Sequence, residues 1–200
     1  MAQPFIQNIH WYQCHRLRNE PPRSGAAGLR AAVFIVLHMP RERPSLLAQV
    51  FASKCALPVR EAEDKVRAEP GTVYFAPPDY HLLLDKGPQL ALSIDELVHF
   101  SRPSIDVLFE SAADVYAERL MGIILSGGNE DGAAGLAAIH HSGGVTIVQE
   151  PASAQAPRMV LSALKRSAPD FVLPLDEIAD LLRTLARTDA VTPFIGPKGG

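Results

Sequence analysis

Seven consecutive apolar residues, Ala31-Ala32-Val33-Phe34-Ile35-Val36-Leu37, run without a polar interruption into His38-Met39-Pro40. A strand with one solvated face alternates apolar and polar residues, so a short β-branched run without alternation reads as a strand covered on both faces of a parallel sheet. The run is far below the roughly 20 residues needed to span a bilayer. Met121-Gly122-Ile123-Ile124-Leu125 is a second run of the same kind, and it stops at Ser126-Gly127-Gly128. Parallel neighbours need crossover connections, usually helical, and these constrain the rest of the chain.

The connections are present. Pro44 and Ser45 are placed to start a helix through Phe51, and Leu57 to Ala62 reads as a short strand. Thr72–Ala76, His81–Leu84 and Gln89–Leu92 are strand-like pieces separated by Pro77-Pro78-Asp79 and Lys86-Gly87-Pro88, turn chemistry that predicts an antiparallel hairpin excursion. Ser104 to Ala117 has helical spacing, and Gly132 to Ile139 suits a packed helix ended by Gly143-Gly144 before the strand Val145–Val148. Met159 to Leu164 is a further helix, Val172–Leu175 a short strand or turn, and Asp176 to Arg187 a terminal helix with Asp176 as N-cap. The rhythm predicts an α/β fold: a doubly wound, mostly parallel sheet with helices on both faces and one antiparallel hairpin excursion. Residues 29–187 form that domain, 1–28 an atypical N-terminal segment without strand or helix period, and 188–200 a loose C-terminal tail.

With 47% hydrophobic residues, 20% charged and a formal charge of −3, the chain can bury a core and has no global attraction for nucleic acid or anionic lipid. The expected partner is a protein or small molecule, with no nucleic acid and no membrane insertion. Cys14 and Cys55 lack a CxxC spacing and no signal-peptide pattern opens the chain, which points to the cytoplasm.

In open α/β sheets, reactive residues gather beyond the carboxyl ends of the strands. His38 and the Gly127-Gly128-Asn129-Glu130-Asp131-Gly132 loop both fall there. A histidine can serve as general base near neutral pH, and a buried carboxylate can fix its tautomer and stabilise the imidazolium. Taken from spacing alone, His38 could equally be a capping or surface residue and Asp131 a helix N-cap. The loop matches neither GxGxxG nor the Walker pattern, and no histidine has metal-ligand spacing, so no cofactor or metal is expected. His140 and His141 read as a helix end facing solvent. Arg102 is either a loop charge or a carboxylate-recognising residue near the rim, and Met159 reads no more as core filler than not.

Five blocks carry a resemblance: Val33 to Pro40, Pro58 to Asp64, Pro70 to Asp79, Arg102 to Phe109, and Leu125-Ser126-Gly127 through Asp131 to Leu136. In order and content they resemble the CheB-type protein-glutamate methylesterase domain over about residues 29–187, with Leu173 to Ala179 closing it in the family's manner. The resemblance implies a Ser-His-Asp hydrolase that demethylates glutamate methyl esters on chemoreceptors, with glutamine deamidation as a further activity. It places the general base at His38, the triad aspartate at Asp131, and Arg102 and Met159 near the substrate cleft. No receiver domain is seen ahead of the esterase part, so control by phosphorylation of an attached domain is not expected.

One element of the family pattern is not matched. The nucleophile is expected in Gly-[Ala/Thr]-Ser-x-Gly-Gly after the first strand, about 25 residues before the histidine, with oxyanion donors in the following turn. That position is Gln13, beside Tyr12 and the chemically competent Cys14. Ser24, in Arg23-Ser24-Gly25-Ala26-Ala27-Gly28, lies only 14 residues ahead of His38, too close for a comfortable crossover. A one-base shift of reading frame from Trp11 through Arg16 permits Gly-Thr-Ser-Ala-Thr-Gly, which makes a frame defect the preferred explanation, and the nucleotide sequence decides it. The expectations that follow are a sheet lacking its first strand, irregular packing of residues 1–28, and either an esterase or a catalytically dead receptor-binding module.

Overall fold

The apolar runs become strands because a central parallel strand can bury both faces only between two helical layers. The computed structural model describes residues 5–7, 31–39 and 45–187, of which 5–7 and 186–187 are described as backbone alone. The strands are β1 (Phe5–Gln7), β2 (Val33–Ile35), β3 (Val59–Glu61), β4 (Val73–Phe75), β5 (His81–Asp85), β6 (Gln89–Ser93), β7 (Met121–Ile124), β8 (Val145–Gln149) and β9 (Phe171–Leu173). The α-helices are α1 (Leu47–Ala52), α2 (Ile105–Tyr116), α3 (Ala133–His141), α4 (Arg158–Arg166) and α5 (Leu175–Arg187).

Seven strands form one parallel sheet in the order β3-β4-β2-β1-β7-β8-β9, and β5 and β6 form a separate antiparallel hairpin. Alternate side chains of β2 feed opposite layers. Phe34 joins Tyr74, Leu108, Phe109, Leu136 and Val160 under α2, α3 and α4. Val33 and Ile35 join Phe51, Phe75, Ile123, Ile147 and Ile178 on the face carrying α1 and α5. Stacked rings of Phe34 and Tyr74, 5.7 Å between centroids, tie β2 to β4 on the first face.

Several expectations require correction. A first strand exists: the backbone of β1 pairs parallel with β2 and with β7, Phe5 standing opposite both Val33 and Met121. The apolar run after Ala31 therefore keeps its neighbour. Three residues are too few to display a period, and the two flanking strands, by offering backbone partners on both sides, define β1 where its own pattern does not. The segment Thr72–Ala76 is not part of the hairpin excursion, because Val73–Phe75 joins the parallel sheet between β2 and β3. Buried on both faces and flanked by parallel partners, it has no free edge for the hairpin. Asp176 is not the N-cap of the last helix: the Pro174 carbonyl accepts from Glu177 N–H (3.1 Å) and Ile178 N–H (3.1 Å), which puts Asp176 in the first turn. An acidic side chain there favours the positive end of the helix dipole. Helix α1 starts at Leu47, with Ser45 Oγ accepting the Leu47 N–H at 3.2 Å; Pro44 lies outside the described residues.

The strand order reverses between β1 and β7: the chain first runs outward through β2, β4 and β3, then returns to build β7, β8 and β9. Ligands of open α/β sheets bind at the carboxyl end of such a switch point. His38 follows β2 and Asp131 follows β7, one strand to each side of β1.

Candidate active site

Asp131 occupies a seat built by the N-terminus of α2. The first N–H groups of a helix have no intrahelical acceptor, and their dipoles favour an anion. Here Asp131 Oδ2 accepts from Ile105 N–H (2.7 Å) and Oδ1 from Asp106 N–H (3.0 Å). Ser104, the N-cap, donates its hydroxyl to Asp131 Oδ1 at 2.7 Å while its Oγ receives the Val107 N–H at 3.4 Å. The remaining donor is His38 Nε2, 2.8 Å from Oδ2. The carboxylate is fully buried (0% exposed), whereas the His38 side chain keeps 27% of its surface exposed. Burial alone would raise the Asp131 pKa, but the hydrogen bonds from His38, Asp106, Ile105 and Ser104 outweigh it and hold the carboxyl below its ordinary value.

This seat requires a glycine after it. Gly132 has φ +93°, and a Cβ there would collide with the side chains of Ile124 and Ile105. The residue both turns the chain into α3 and lets Asp131 approach α2.

The partners of His38 define its tautomer. A carboxylate only accepts, so Nε2 carries the proton, and Asn129 Nδ2, a donor, lies 3.4 Å from Nδ1. Nδ1 therefore presents its lone pair on the side away from Asp131. Asn129 also donates to Ser101 Oγ at 3.3 Å and accepts the Asp131 N–H at 3.3 Å.

Met159 is buried (1% exposed) at the start of α4 and packs directly on Gly127, where any side chain would strike it. The Met159 N–H donates to the Gly127 carbonyl at 3.1 Å, which couples α4 to the turn after β7. Arg102 is engaged elsewhere than with the His38–Asp131 pair. Its Nε and Nη2 donate to Asp79 Oδ1 (3.1 and 2.8 Å) and its Nη1 to the carbonyls of Ile94 (2.6 Å) and Asp95 (2.9 Å). Cys14 and Ser24 lie outside the described residues. His140 and His141 are exposed on the last turn of α3, as their spacing suggests.

Three contributors were not singled out from the sequence. Ser104 supplies the N-cap hydroxyl, Asn129 the amide beside His38 Nδ1, and His81 a brace: its Nδ1 accepts the Ser104 N–H (3.2 Å) while Nε2–H donates to the Glu96 carbonyl (2.9 Å). A serine directly ahead of a helical period signals an N-cap, but nothing local indicates that a distant carboxylate shares its hydroxyl. Asp106 forms a second layer, accepting the Gly135 N–H at 2.7 Å and facing His99 Nε2 at 3.3 Å. Burial pushes its carboxyl above the ordinary value; the Gly135 N–H restrains that rise and the nearby charge of Asp131 adds to it.

Residues 23–182 match the family model described as CheB methylesterase. The chain belongs to the CheB methylesterase family. Among relatives, a putative protein-glutamate methylesterase/protein-glutamine glutaminase of Leptospira interrogans is 44% identical over 149 residues, covering 74% of this chain and 77% of its own length. A protein-glutamate methylesterase/protein-glutamine glutaminase of Symbiobacterium thermophilum is 40% identical over 78% of this chain and 43% of its own. The CheB methylesterase catalytic domain of Thermotoga maritima superimposes with a TM-score of 0.81 at 26% identity, over 92% of this chain and 99% of that one. The α/β architecture expected from the sequence is thus that of a CheB catalytic domain, and the family is one of hydrolases. Among the described residues, no helix is long and apolar enough to cross a membrane.

Proposed function

We propose that this chain handles glutamate γ-methyl esters on a protein, in the manner of a cytoplasmic protein-glutamate methylesterase acting on methylated chemoreceptors, with glutamine side chains as a second substrate. The observation that carries the reading is the Asp131 seat: a buried carboxylate with four converging donors, one of which is a histidine aimed at the sheet's switch point. That arrangement makes His38 the general base and Asp131 the group that orients it. The attacking hydroxyl replaces the long (3.4 Å) contact of Asn129 Nδ2 at His38 Nδ1 and gives that nitrogen its proton as its oxygen bonds to the ester carbonyl carbon. The imidazolium so formed is stabilised by the Asp131 carboxylate. Its proton then passes to the departing methoxide, which leaves as methanol. Water attacks the acyl-enzyme by the same relay, releasing glutamate and restoring the hydroxyl. Met159, buried against Gly127, supports the turn after β7 from beneath, and Arg102 holds the adjoining loop.

The attacking hydroxyl is the element the sequence supplies least clearly. The segment leading to His38 contains no Gly-[Ala/Thr]-Ser-x-Gly-Gly, and its one serine is Ser24. That observation favours a second reading, a receptor-docking module that keeps the site and does not turn over. Methanol release from a methyl-esterified receptor separates the two. The module reading expects a rate at background. Turnover lost in both His38→Ala and Ser24→Ala establishes the hydrolase with Ser24 as nucleophile and removes the second reading.

A further inference from the structure

We infer that the loop 94–101 is a docking ledge for the polypeptide that carries the reacting glutamate side chain, with Phe100 as its main contact. The inference rests on the functional reading above and adds where the non-reacting part of the substrate lies.

The ledge is built rather than loose. Val98 and Ser101 pair in both directions, Val98 N–H to Ser101 O at 3.2 Å and Ser101 N–H to Val98 O at 2.8 Å, so His99 and Phe100 are the central residues of a tight turn. Both have positive φ, +49° and +62°. A two-residue turn with left-handed backbone at both positions is the place for Asn-Gly; histidine tolerates that region better than most residues, whereas a bulky phenyl side chain is strained there. Strain of this kind persists where the surroundings over-determine it, and it clusters at binding sites. Here the surroundings are the Arg102 guanidinium on the Ile94 and Asp95 carbonyls, His81 on the Glu96 carbonyl, and His99 between Asp106 (3.3 Å) and Glu130 (3.5 Å).

What the strained turn achieves is the presentation of apolar surface. The Phe100 residue is 93% exposed, with Ile94 at 71% and Leu97 at 40% beside it. Together with Glu96, His99 and Arg102 they line a shallow cleft of about 740 Å³. A rigid aromatic flanked by aliphatic residues and rimmed by charge has the anatomy of a protein-binding hot spot.

Continuity with the base identifies the occupant. Ser101, the last residue of the ledge, accepts from Asn129 Nδ2, and the same amide nitrogen lies 3.4 Å from His38 Nδ1. A glutamate γ-ester reaching His38 carries its backbone over the neighbouring surface, and the ledge begins one side chain away from the base. Its ester or amide is uncharged, and an amphipathic segment of that kind suits an apolar row edged by Glu96 and Glu130. Contacts made by non-reacting parts of a substrate are the usual source of the binding energy that positions the reacting bond.

The test uses a fluorescently labelled amphipathic peptide containing a glutamate γ-methyl ester, titrated with the full chain and followed by anisotropy. Phe100→Gly relieves the left-handed strain, so its thermal unfolding temperature is expected to hold or rise while peptide affinity falls about tenfold or more. Phe100→Tyr is expected to bind within about threefold of the parent. The proposal is overturned if Phe100→Gly binds the peptide as tightly as the parent. It is also overturned if sedimentation shows that the substitution alters only self-association, which would make the ledge a contact between copies. No peptide binding by the parent, with turnover of a small γ-methyl ester retained, removes the ledge alone; loss of both removes the functional reading as well.

Discussion

Asp131→Asn is the substitution whose consequences the structure defines most closely. The two carboxylate oxygens each accept two hydrogen bonds, Oδ1 from Ser104 Oγ and Asp106 N, Oδ2 from His38 Nε2 and Ile105 N. An amide retains one oxygen and turns an NH2 toward the other pair. If the oxygen stays with Ser104 and Asp106, the NH2 opposes the Ile105 N–H, which cannot become an acceptor and is left buried. His38 can respond by moving its proton to Nδ1, the atom that under the proposed mechanism accepts the proton of the attacking hydroxyl. Hydrogen bonds to a charged group contribute about 1.5–3 kcal/mol each, and an orphaned buried donor adds its desolvation penalty, so the loss is about 3–5 kcal/mol. For a domain of this size that lowers the unfolding temperature by about 6–20 °C. Urea titration and calorimetry of parent and variant measure it. A change below about 1 kcal/mol would refute the seat as described, because no rotamer of asparagine satisfies all four donors.

The same seat predicts an acid limb of known sign. The Asp131 carboxyl titrates below its ordinary 3.8 in the folded chain, so its contribution is complete above that value and drains as pH falls through the lowered folded pKa; in Asp131→Asn, stability measured by urea from pH 5 to 2.5 should decline less steeply. Asp106 has the opposite sign, because its raised folded pKa makes the folded chain bind the extra proton, so stability rises as pH falls from neutral through that value. Asp106→Asn, which keeps an acceptor for the Gly135 N–H, should remove this dependence and be neutral or stabilising at pH 7 by the same titration. Gly132→Ala adds a Cβ against Ile124 and Ile105 at φ +93° and should cost about 2–4 kcal/mol by chemical denaturation. Phe34→Ala, at 0% exposure and stacked on Tyr74, should cost about 3–5 kcal/mol by the same measurement.

The parts of the fold legible in the sequence are those whose burial is dictated by their own residues. The runs at Val33 and Met121 became β2 and β7, and the patterns of α2, α3 and α4 appear within a residue or two of their expected limits. The parts misread are those decided by neighbours. Phe5–Gln7 is a strand because β2 and β7 leave a slot between them, and three residues cannot announce that. Val73–Phe75 reads as part of the hairpin because proline-rich turns follow it, yet its burial on both faces places it in the parallel sheet. Turn chemistry marks where a strand ends without saying which sheet it enters.

The site divides along the same line. His38 and Asp131 could be chosen because each follows a buried strand of the sheet, and strand ends lie on one rim. The seat that makes Asp131 useful could not, because it combines Ser104, Ile105 and Asp106 from the start of α2 with a loop after β7 that lies 25 or more residues away. Ser104 looks like an ordinary N-cap, and it is one; its hydroxyl also happens to be shared with a carboxylate that the fold inserts at the helix end. Arg102 shows the converse. A lone arginine before proline invites a reading as a substrate clamp, and in the fold its guanidinium is drawn toward Asp79 and the carbonyls of Ile94 and Asp95, so its hydrogen bonds fix the loop that carries Ile94. Chemistry-bearing residues are thus readable one at a time from strand ends, whereas the donors that tune them belong to elements the sequence does not connect.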